Sequence, residues 1–91
     1  MGERVLSEEL LNNEFNLYVF NKKYKSTIEE KRKWDLYYSI IEELTHMGDY
    51  NNVNEIKYRI TDGEEPSEVL MEKIYSLDKL TFNLRYLLDK L

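Results

Sequence analysis

Leu70, Leu77, Leu84 and Leu91 stand seven residues apart, and Ile74, Thr81 and Leu88 fall four residues after successive leucines. No strand can use that spacing, because a strand turns its side chains over every two residues. A helix can: residues seven apart return to one face after two turns. The pattern therefore predicts a long C-terminal helix over about residues 66–90. At ~1.5 Å per residue its length would approach ~39 Å, at least the width of a domain this small. In coiled-coil terms the leucines take d positions, and Ile74, Thr81 and Leu88 take a positions. β-branched residues at two a positions favour two strands when the helices are parallel. Leu80 and Leu87 widen the stripe beyond what one neighbour can cover, so either several helices of the same chain surround it or a second chain does. A homodimer through Leu77, Leu84, Leu88 and Leu91 is the expectation.

The rest of the chain reads as helix too. Only three Gly and one Pro interrupt 91 residues, so long regular elements are expected. The fold class is all-α: a single small domain of three to four helices with the long C-terminal helix as its spine. Helix one, about 7–23, starts at Ser7 as N-cap and carries Leu10, Leu11, Phe15, Leu17 and Tyr18 at helical spacing. Helix two, about 27–47, opens on Ser26 and Thr27, each with a glutamate three residues on, as a capping box requires. Trp34, Tyr37, Tyr38, Ile41 and Leu44 form its apolar stripe, flanked by Ile40 and Met47. Gly48 ends it. Helix three, about 50–61, follows a cap at Asp49 and buries Val53, Ile56 and Ile60.

The segment "TDGEEPSE", residues 61–68, packs four acids, a glycine and the only proline into eight positions. A calcium loop needs alternating oxygen ligands, a central glycine and a distant bidentate glutamate. Only Asp62 and Glu64 alternate, and Pro66 falls where a ligand belongs. A corner explains every residue: Gly63 stops one helix, Pro66 suits the first turn of the next, and the glutamates meet its positive end.

Charge is unevenly spread. Residues 22–33 hold six bases against two acids, and residues 62–72 hold five acids and no base. The two segments either lie together or serve a partner. Lys22, Lys23 and Lys25 stand beside Ser26 and Thr27 at a helix start, which is the residue set of an anion site for a nucleotide-like molecule or a nucleic-acid phosphate. The plainer reading is that the lysines close helix one and the hydroxyls cap helix two. Asp62, Glu64, Glu65 and Glu68 are the matching candidates for facing a basic partner. The net charge of −5 disfavours nonspecific nucleic-acid binding.

Catalytic signals are missing from the sequence. His46 is the only histidine, and with no cysteine the usual zinc sets are unavailable. Glu43 and His46 make one Glu-x-x-His pair where a di-iron bundle needs two. No phosphate-binding glycine loop or nucleophile elbow is present. No enzyme activity, metal or cofactor is therefore expected. Lack of cysteine suits a reducing cytoplasm, the expected location. No apolar run is long enough to span a membrane. Residues 1–6 do not read as a signal peptide, and Leu6 stands where a myristoylation motif wants Ser or Thr. The leading expectation is a small protein–protein interaction protein, a regulator or inhibitor that docks on another macromolecule through helical surfaces. The alternative is an anion binder at the helix one–helix two junction.

Overall fold

A computed structural model describes residues 8–91, so the expected cap at Ser7 lies outside the described residues. They form five helices: α1 (Glu8–Tyr24), α2 (Ile28–His46), α3 (Tyr50–Thr61), α4 (Pro66–Tyr75) and α5 (Phe82–Leu88). No strand occurs among them. The body measures 41 × 34 × 19 Å. Its short dimension has room for only two helix layers at the usual 8–10 Å spacing. No described helix is long and apolar enough to cross a membrane.

The spine is α2, not the C-terminal helix. It packs against all four other helices. Trp34, Tyr37, Ile40, Ile41 and Leu44 are buried along it. Phe15 and Val19 from α1, Val53, Ile56 and Ile60 from α3, Val69, Leu70 and Ile74 from α4, and Leu84 from α5 complete one continuous core. Within α1, α2 and α3 these residues follow i, i+3, i+4 spacing.

Most helix ends obey the signals in the sequence. Thr27 caps α2 through a full capping box: its hydroxyl accepts from the Glu30 N–H at 3.2 Å, and the Glu30 carboxylate accepts from the Thr27 N–H at 2.9 Å. Of the two cap candidates, Ser26 is the one not used; its hydroxyl donates to the Lys22 carbonyl. Gly48 and Gly63 both adopt positive φ, +80° and +103°. Each closes its helix with a pair of bonds, Gly48 N to Thr45 O with Asp49 N to Leu44 O, and Gly63 N to Ile60 O with Glu64 N to Arg59 O. That two-bond closure is the Schellman motif, which wants a residue free of a Cβ penalty. Asp49 holds the N-cap position of α3 but makes no side-chain capping bond. Its carboxylate instead accepts from the Asn52 side chain at 2.8 Å.

The expected helix over 66–90 is two helices. Ser76 ends α4, its hydroxyl donating to the Lys73 carbonyl at 2.7 Å, and Thr81 caps α5 by accepting from the Leu84 N–H at 3.0 Å. Serine and threonine compete with the helix for backbone partners, which suits them to ends rather than interiors. The break turns α5 onto α2. Leu84 is 0% exposed in the chain's own core, so it offers no surface to a second chain. Leu77, Leu88 and Leu91 are half-buried and pack against the same core. The heptad leucines thus line a bent path over one chain, not a straight seam between two.

Two substitutions test this arrangement by urea denaturation. Leu84→Ala should lower stability by about 2–5 kcal/mol, the range for emptying a buried leucine site. A loss under about 0.5 kcal/mol would place Leu84 outside the core. Gly63→Ala should cost about 1–2 kcal/mol, because a Cβ penalises the left-handed conformation even where, as here, nothing lies within 4 Å of it.

Candidate functional site

The last turns of α1, the first half of α2 and the α3–α4 corner enclose an open cleft of about 420 Å³. Aromatic rings build one side. Tyr18 meets Trp34 edge-on with centroids 6.4 Å apart, and Trp34 meets Tyr37 at 5.2 Å and 86°. These edge-to-face contacts fix the rings as core-like packing, as their helical spacing implied. Tyr37 and Ser67 share a hydrogen bond of 3.0 Å that ties α2 to the first turn of α4.

Charged groups of both signs line the remainder: Lys22, Lys33, Glu30, Glu64 and Glu65. The basic and acidic segments of the sequence therefore do lie together, around one cleft. Lys22 sits 5.4 Å from the Tyr18 ring centroid, within cation–π range. Hydrogen bonding from Thr27, its backbone N–H first, holds the Glu30 carboxyl below its ordinary range, with the Lys33 charge adding to the effect. The start of α2 already holds an anionic partner in Glu30.

That bears on the residues expected to hold an anion. Thr27 is engaged in the cap and Ser26 bonds the Lys22 carbonyl. Lys23 pairs with Asp35 at 3.0 Å. Lys25 is exposed. Only Lys22 of that set reaches the cleft, where Lys33 joins it. Lys33 belongs to the basic run 22–33, but its position eleven residues beyond Lys22, across a helix junction, gives no local signal of the cleft.

The acidic set divides as well. Arg59 gathers two glutamates. Its Nε and Nη2 donate to Glu64 Oε1 at 3.0 and 2.7 Å, and its Nη1 donates to Glu72 Oε2 at 2.7 Å. Glu55 lies 3.8 Å from Arg59 and accepts from Lys73 at 2.6 Å, which extends the network across α3 and α4. Glu65 caps α4, accepting from the Ser67 N–H at 3.1 Å. Asp62 and Glu68 are exposed.

His46 ends α2 and is exposed. It lines a second groove, of about 300 Å³, with Glu42, Glu43 and the α5 residues Asn83, Tyr86 and Leu87. No group of three or more His, Asp or Glu able to hold a metal occurs among the described residues. Comparison with known proteins finds no matching family model, no matching curated protein and no matching solved structure.

Arg59 holds both the Glu64 and Glu72 carboxyls below their ordinary range, chiefly by hydrogen bonding. A carboxylate depressed in the folded state stabilises the fold above its unfolded pKa, roughly 4.3 for Glu, and loses that contribution as pH falls through the folded value. Arg59→Gln should therefore lower the melting temperature at pH 7, with the gap to wild type closing below about pH 4. A gap independent of pH would show that the arginine acts through packing alone.

Proposed function

We propose that this chain is a small interaction protein, a regulator or inhibitor that docks on another macromolecule through its helical surfaces and acts in the cytoplasm as a homodimer without catalysis. The observation that carries this reading is α5. With Leu84 wholly buried, Phe82 remains 84% exposed, and Tyr86, one turn further on, is exposed beside it. A ring so exposed at the start of a helix contributes little to the chain's own core. It is the kind of aromatic anchor that dominates binding when a partner covers it. Tyr86 also edges the groove that holds Glu42, Glu43 and His46. The acidic rim suits a partner with basic residues around an apolar pocket.

Affinity capture with wild-type chain and with Phe82→Asp/Tyr86→Asp tests it. A partner retained by the wild type and lost by the double variant, then re-bound as purified protein, supports the reading. Binding that survives the double variant would remove α5 from the interface.

A second reading has one observation in its favour: Lys22 and Lys33 line the same aromatic-walled cleft. An anionic, nucleotide-like ligand would meet two cations and ring edges there, against three carboxylates. Titration of ATP into wild type and Lys22→Ala/Lys33→Ala should show salt-sensitive binding that the variant weakens tenfold or more, about 1.4 kcal/mol. Equal heats for both proteins would exclude the cleft as an anion site.

A further inference from the structure

α1 has two apolar faces. Leu11, Phe15 and Val19 turn inward and are buried. Leu17, Phe20 and Tyr24 are 62%, 63% and 77% exposed. At 100° per residue they share a stripe on the side of the helix opposite the core. Leu10 falls on the same line, seven residues before Leu17, so positions 10, 17 and 24 with 20 between them repeat the spacing of a coiled-coil seam. The Phe20 and Tyr24 rings lie 6.4 Å apart and reinforce one another along that stripe.

We infer that this outer face of α1 is where two copies of the chain meet, with the two α1 helices antiparallel. Charge on the helix argues for a second copy. Glu9 and Glu14 are exposed in its first half, and Lys25 is exposed just past its end, while Lys22 and Lys23 are turned to the cleft and to Asp35. Antiparallel pairing sets each acidic half against the partner's basic end; parallel pairing sets like against like. The same patch serves both chains, as a two-fold interface requires. Area agrees. With ~150–250 Å² available per aromatic residue and less for a leucine, Leu17, Phe20 and Tyr24 expose roughly 400 Å² per chain, hence roughly 800 Å² for a pair. Leu10 and the flanking asparagines carry the total toward the ~1,000 Å² of a specific interface at the small end of the range. The dimer is thus one that dissociates on dilution.

The inference rests on the homodimer part of the reading above and adds the face and the direction. Light scattering after size exclusion, at high and low micromolar loading, reads the first step. Wild type should approach twice the 11.1 kDa chain mass at high loading. Leu17→Glu/Phe20→Glu should stay at the single-chain mass with unchanged far-UV circular dichroism, and the milder Leu17→Asn/Phe20→Asn should shift the same way. A wild type that is monomeric throughout overturns both the homodimer and this face. A dimer that persists in both variants leaves the homodimer standing and overturns the face. Direction is read by electron spin resonance, since the chain has no cysteine to compete with a label at Glu9→Cys. Antiparallel helices centred near Leu17 separate the two labelled positions by about 24 Å along the axis at ~1.5 Å per residue. A separation near ~10 Å, the helix-to-helix spacing, would mean parallel pairing and overturn the orientation.

Discussion

Everything in this fold leans on the buried stripe of α2. Trp34, Tyr37, Ile40, Ile41 and Leu44 lie along the helix that each of the others touches. Such a stripe is wide because two adjacent residues, Ile40 and Ile41, are both buried. The capping box at its start and the Schellman closure at its end fix its length at both termini. Helix length is thus set by local bonds, and Tyr37 and Trp34 carry the register of α2 into the wall of the cleft.

A body 19 Å thick has little interior for 91 residues. Each helix outside the centre keeps a face toward solvent, and small domains bury a smaller share of their surface than large ones. On α3 and α4 the Arg59 network joins part of those faces, with Tyr50, Tyr58 and Tyr75 exposed beside it. On α1 and α5 they carry Leu17, Phe20, Tyr24, Phe82 and Tyr86.

The sequence made the helices and their ends legible where the signal was local. The capping box at Thr27 and Glu30, the two glycine stops and Pro66 each act within a few residues, and each lies where its chemistry places it. Burial along α1 was half legible. Leu11, Phe15 and Tyr18 turn toward the core as expected, while Leu10 and Leu17 do not, because two interleaved apolar stripes on one helix cannot be told apart by spacing alone. The C-terminal break was signalled by Ser76 and Thr81 but masked by the leucine repeat, which fits a bent path over α2 as well as a straight seam. The cleft was the least legible feature. Its lysines and glutamates come from segments that only tertiary contact brings together.

α5 is seven residues long, well under the length at which a helix holds together by itself in water. It persists through its docking on α2, with Leu84 as its one fully buried side chain and the weak bond from Thr81 to Glu43, 3.4 Å, at its first turn. Amide exchange would record such an element as a separate unit that opens below the free energy of global unfolding. The groove beside His46 would open and close with it, so its lifetime is that of α5's hold on the spine.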